Sequence, residues 1–161
     1  MRYLGIDFGE QRIGLAVCDP NERMAFALKT LQRRQVPGRE QFFSALLSIA
    51  AAEAVNGLVI GLPLPLEPHP ELGEPLTCRK VRNFAAALAR RTSLPIYLVN
   101  EALSSNEAEM RLREAGLRGQ KLEERLDAEA AAVILQQFLN LPPEQRSLCQ
   151  FTGHFKPQRN S

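Results

Sequence analysis

Residues 57–62, GLVIGL, form an unbroken apolar run of six. A strand with one wet face alternates apolar and polar side chains, so an unbroken run marks a strand covered on both faces. Such strands belong to parallel sheets, and parallel neighbours need long crossovers, usually helical. The run therefore calls for an α/β architecture with helices on both faces of a sheet.

The flanking segments supply the other elements. Residues 2–8 and 12–18 read as two strands joined by a tight turn through Gly9, Glu10 and Gln11. Residues 24–31 read as a third strand after the Asp19-Pro20-Asn21 turn signal. Residues 39–55 carry Phe42, Leu46, Ile49 and Ala50 at helical spacing. Prolines at 63, 65, 68, 70 and 75 mark a loop, residues 77–91 a helix, and IYLVN at 96–100 a strand. Ser104-Ser105-Asn106-Glu107 matches a capping box, so a helix is expected from there to near Gly116. Residues 117–123 read as a charged loop and 124–140 as the last helix, stopped by Pro142-Pro143. The order β-β-β-α-β-α-β-α-α gives a mixed five-stranded sheet with helices on its faces. Residues 1–140 form one domain, and 141–161 are expected to be a polar, basic, disordered tail.

Composition narrows the function classes. A chain of 161 residues fits a single domain. No stretch approaches the roughly 18 apolar residues of a membrane helix, and the MRYLGIDFG start does not resemble a signal peptide. Cys18, Cys78 and Cys149 are odd in number and widely spaced, which fits reduced thiols and a cytoplasmic setting better than a disulfide framework or a zinc site. Residues 141–161 hold three basic groups and one acidic group, leaving 17 of each in residues 1–140. A polyanionic partner would have to meet local basic clusters.

Three carboxylates stand out. Alternation on the first strand puts Leu4, Ile6 and Phe8 on one face and Tyr3, Gly5 and Asp7 on the other. A charge in a central strand is costly without compensation. Gly5, Gly9, Gly14 and Ala16 leave room for an ion or phosphate beside it; the alternative is an aspartate that merely bonds the hairpin at Gly9. Glu101 follows IYLVN, at the carboxyl end of a parallel strand, where open α/β sheets bind ligands; a solvated loop acid is the alternative. Asp127 shares a stripe with Ala130, Ala131, Ile134, Leu135 and Phe138, so it faces the sheet from what reads as the first turn of the last helix. A favourable charge–dipole placement is its alternative. Converging carboxylates need a cation to stay ionised, and oxygen-only donors favour Mg²⁺ or Mn²⁺. Two such ions can drive phosphodiester hydrolysis.

Four ordered segments, GIDFGEQRIGLAVCD, VIGLPL with EPLTCRKVRNF, NEALSSNEAE and RLDAEAAAVIL, together resemble the YqgF/RuvX family. These are Holliday-junction-resolvase-like nucleases associated with the precursor of small-subunit ribosomal RNA. The resemblance spans about residues 1–140. It implies an RNase H-like fold, a catalytic and metal-binding triad of Asp7, Glu101 and Asp127, and two Mg²⁺ or Mn²⁺ ions. The family's Asp-Glu-Arg segment is Asn100-Glu101-Ala102 here, and Gln11 replaces a common basic residue. The loss of an auxiliary carboxylate and a guanidinium implies weakened or altered cleavage with metal binding kept.

Arg12, beside the first hairpin, is the best single phosphate contact. Arg79, Lys80, Arg82, Arg90 and Arg91 lie on the helix after the proline loop, as a phosphate-binding row or an ordinary solvated face. With Gly9 and Ser104, Arg12, Arg79 and Arg82 make up the expected substrate-binding set, although capping alone explains Ser104. Sparse aromatics favour recognition by shape. His69 and His154 lack metal-ligand spacing. The expected partner is RNA, with branched DNA open, ribosomal-subunit association compatible, no membrane, and a monomer or homodimer. Competing readings are a non-catalytic RNA-binding factor and a phosphate-binding fold of the actin and sugar-kinase type, whose opening hairpin GIDFG also resembles.

Overall fold

The computed structural model describes residues 1–64, 69–101, 113–116 and 118–152. The apolar run is strand β4 (Gly57–Leu62), and all six of its residues are buried. It pairs in parallel with β1 (Tyr3–Phe8) on one side and β5 (Ile96–Asn100) on the other. β1 continues the sheet antiparallel into β2 (Arg12–Cys18), and β2 into β3 (Ala25–Gln32), giving the order β3-β2-β1-β4-β5. The β2–β3 turn is held by the Asp19 carboxylate, which accepts the backbone N–H groups of Asn21, Arg23 and Met24.

Helices α1 (Arg39–Ala52) and α2 (Leu76–Ala89) cover one face. There Leu4, Ile6, Ile13, Leu15, Leu58 and Ile60 pack with Phe42, Leu46, Phe84 and Leu88. The other face carries one long helix, α3 (Gly119–Leu139), whose Ala131, Ile134, Leu135 and Phe138 are fully buried against Tyr3, Ala16, Val59 and Val99. No helix among the described residues is long and apolar enough to cross a membrane.

Two expectations are corrected. The last helix begins at Gly119, not near 124, and the segment read as a charged loop forms its first turns. Leu122, buried, and Leu126, half-buried, extend the apolar stripe backwards at i+4 spacing, and the charges of KLEERLD hide that stripe. Asp127 is therefore the ninth residue of α3, beyond the reach of the helix-terminus dipole. The expected disordered tail is ordered as far as the described residues run. Pro143–Leu148 form a short helix, α4, and the chain then lies along β5. Leu98 N–H donates to Cys149 O at 2.8 Å, and Phe151 N–H donates to Ile96 O at 2.7 Å. An edge strand exposes unpaired backbone groups, and this segment covers them. The helix expected from Ser104 lies outside the described residues except at its end, where Gly116 has φ +87°. Cys18, Cys78 and Cys149 are free thiols.

Candidate active site at the carboxyl ends of β1 and β5

Asp7 sits near the carboxyl end of β1, on the α3 face, in register with Gly14 of β2. Glu101 follows β5 directly. Its N–H donates to Leu62 O at 2.9 Å, which carries the β4–β5 ladder one step past the last strand residue and fixes the glutamate's backbone. The two side chains are hydrogen-bonded to each other.

Absent side chains make the room. A Cβ on Gly61 would lie 2.5 Å from Ile134 Cδ1 and 3.0 Å from Glu101 Oε2, so the glutamate occupies space that any other residue would fill. A Cβ on Gly14 would fall 1.8 Å from the carbonyl oxygen of Asp127, so α3 rests directly on β2 at the level of the aspartate. Thr30 Oγ1 donates to Glu124 O, and Gln32 Nε2 donates to Glu124 Oε1 at 2.8 Å; both tie this stretch of α3 to β3. The helix is thus held with Asp127 against β2, at the level of Asp7 and Gly14.

The electrostatics follow from crowding. Burial, then the charges of Glu101 and Asp127, push the Asp7 carboxyl up to about 8. Burial also raises Glu101, against the hydrogen bond from Asp7. Crowding of the two carboxyls thus favours a proton held between them over two ionised groups. Asp127 is raised by burial too, but Arg12 opposes the rise: Arg12 Nε donates to Asp127 Oδ2 at 2.8 Å. The same guanidinium reaches Glu123 Oε2 at 3.1 Å. Among the described residues no group of three His, Cys, Asp or Glu side chains is gathered closely enough to hold an ion; Asp127 is drawn to Arg12.

The other expected substrate contacts fare unevenly. Gly9 has a local reason to be glycine, since a Cβ there would lie 2.5 Å from Arg12 O. Arg12, expected on a phosphate, is held by two acids. Arg82 pairs with Glu74, Lys80 with Glu10 and Arg91 with Glu40, while Arg79 and Arg90 are exposed. Ser104 lies outside the described residues. Sequence reasoning missed Glu123, because its segment read as loop, and missed Gly61, whose role depends on register with β5. The Arg12–Asp127 pair spans 115 positions and leaves no local signal.

Two parallel strands offering carboxylates at their carboxyl ends, faced by a third from a helix packed on a mixed five-stranded sheet, define an RNase H-like domain. Two solved structures share the fold. RuvC of Thermus thermophilus matches with a TM-score of 0.51 at 17% identity, covering 93% of this chain and 98% of that one. The same protein in complex with a Holliday junction substrate gives 0.50 at 19%, covering 86% and 93%. The family model described as RuvX, Holliday junction resolvase, matches residues 1–141. Among curated proteins, one from Nitratidesulfovibrio vulgaris (strain DP4) is 47% identical over 92% of this chain and 99% of its own length. Another, from Maridesulfovibrio salexigens, is 48% identical over 86% and 98%. Both carry the name "Putative pre-16S rRNA nuclease". The chain belongs to the RuvX family.

Proposed function

We propose that this chain is a metal-dependent nuclease that hydrolyses phosphodiester bonds, with the precursor of 16S ribosomal RNA as its substrate and Asp7, Glu101 and Asp127 as its catalytic and metal-binding carboxylates. The observation that carries the reading is the Asp7–Glu101 pair, two half-buried acids in contact at the carboxyl ends of parallel strands. A cation neutralises such a pair as a shared proton does, and an oxygen-only donor set suits Mg²⁺ or Mn²⁺. Asp127 completes the set once Arg12 lets it go.

Bound divalent ions supply an activated water and charge stabilisation at the leaving oxygen. The chain's own residues do the positioning. Asp7 is fixed by a strand paired on both sides, and Glu101 by its backbone bond to Leu62. Arg12 pairs with Asp127 and, were a cation held by that carboxylate, its guanidinium would be available to a substrate phosphate. The relatives' names favour ribosomal RNA precursor over branched DNA, which the same chemistry would cleave.

Purified protein with Mn²⁺ should shorten the 5′ end of a 16S rRNA precursor. Asp7→Asn should slow this by about 1,000-fold, equivalent to about 4 kcal/mol of transition-state stabilisation. Undiminished cleavage by that variant would remove the site assignment. Salt-sensitive RNA binding with no product from either protein would favour a non-catalytic assembly factor, the reading suggested by Asn100 and Ala102.

A further inference from the structure

On the opposite face of the sheet, where β1 ends, α1 and α2 part to leave a cavity of about 510 Å³. Phe8, Phe42, Phe43 and Phe84 form its apolar wall, and Arg33, Arg39, Lys80 and Glu10 are its charged lining. Arg33 is the unusual member. Its guanidinium lies over the rings of Phe8 and Phe42, with centroid distances of 5.6 and 4.8 Å. Its Nε is buried with no hydrogen-bond acceptor among the described residues. A buried donor on a charged group is costly to leave unmet, so this guanidinium suits an anionic acceptor. Lys80 already holds Glu10, the one acid in the lining, and Arg39 is exposed at the first position of α1. A volume of this size suits a small ligand of mixed polar and aromatic character.

A second cavity, of about 350 Å³, has Glu10 and Arg33 in its lining as the first does, together with Gln11, Arg12 and Glu123. Arg12 is the residue that holds Asp127. Arg33 and Arg12 thus mark the side of the β1–β2 turn that runs from the aromatic cavity toward the acidic site.

We propose that this cavity seats one nucleotide of the nucleic-acid strand at a distance from the cleaved bond, its phosphate on Arg33 and Arg39 and its base against the apolar wall. An apolar wall makes no hydrogen bonds to base edges, so this subsite adds affinity and register rather than sequence preference. It rests on the nuclease reading for the identity of its ligand. A phosphate and a base could equally arrive as a free mononucleotide, but the neighbouring cavity lined by Arg12 and Arg33 favours a strand.

The test is fluorescence anisotropy with a ten-nucleotide single-stranded RNA and the full chain in EDTA, so that binding is read without cleavage. The Arg33→Gln/Arg39→Gln variant should bind about 10-fold more weakly, and the slope of log affinity against log salt should be shallower by about 0.7 for each phosphate that is no longer neutralised. Arg23→Gln, which removes one positive charge at the distant β2–β3 turn, should bind as wild type, and Arg39→Gln alone, an equal change in charge, should not. If the Arg33 variant fails to fold, Arg39→Gln/Lys80→Gln, both outside the core, should show the same weakening. Wild-type affinity and slope in the folded variants would overturn the proposal. So would adenosine monophosphate binding as tightly as the oligonucleotide, which marks a free-nucleotide site. Loss of cleavage dependence on Asp7 would instead sink the nuclease reading and leave this binding result standing.

Discussion

The two faces of the sheet are built on opposite principles. The α1/α2 face is filled by large side chains, Leu4, Ile6, Ile13, Leu15, Leu46 and Phe84 among them, interlocked in the larger of the two cores. The α3 face is emptied of them. Glycine and alanine at 14, 16, 61 and 131 let a helix backbone approach strand backbone, and the space saved receives carboxylates. One face supplies apolar burial, and the other gives up some of it to hold charged groups away from water. The difference explains how a 161-residue domain tolerates Asp7 in a central strand.

Substitutions on each face should separate the two roles. Leu46→Ala, a fully buried site on the α1/α2 face, should destabilise the fold by about 2–5 kcal/mol in chemical denaturation. Cleavage per folded molecule should stay near wild type, and a comparable loss of cleavage would break the division. Gly14→Ala should cost about 1–3 kcal/mol, because the new methyl collides with backbone rather than a movable side chain. It should also lower cleavage by displacing Asp127, which a purely structural glycine would not do. If Gly14→Ala keeps full activity, close approach at that point does not position the acid.

A further effect is a slope against pH. In metal-free buffer the Asp7 carboxyl titrates near 8 in the folded state against 3.8 when unperturbed. Between those values the folded chain binds more protons than the unfolded chain. The contribution of Asp7 to stability is therefore fully present below about pH 4 and is lost as pH rises toward 8, by at most about 1.4 kcal/mol per pH unit for one proton. Asp7→Asn should flatten that slope in urea titrations across the same range. An unchanged slope would assign the pH dependence elsewhere.

Much of this was legible in the sequence. GLVIGL marked the interior of the sheet, and the meander, the crossovers and the sheet-facing stripe around Asp127 followed from period and turn chemistry. What could not be read was set by partners distant along the chain. The start of α3 was hidden because Lys121, Glu123, Glu124 and Arg125 crowd the two leucines that mark its buried side. The role of Gly61 exists only in register with β5, and Arg12 finds Asp127 only after folding. The segment after residue 141 looked free because its polar residues give no hint that its backbone would cover an edge strand. The Arg33 cavity gathers residues from β1, the β3–α1 connection, α1 and α2, and no single segment announces it.

Thermal unfolding at pH 8, with and without saturating Mn²⁺, tests most directly whether the Asp7–Glu101 pair is arranged for a cation. Wild type should gain about 5 °C on adding metal, roughly the effect of a ligand well above its dissociation constant on a domain of this size. Asp7→Asn should melt higher than metal-free wild type, since no charge need be buried, and should gain little from Mn²⁺. Equal stabilisation of both proteins by metal, or none of either, would contradict a cation site at this pair.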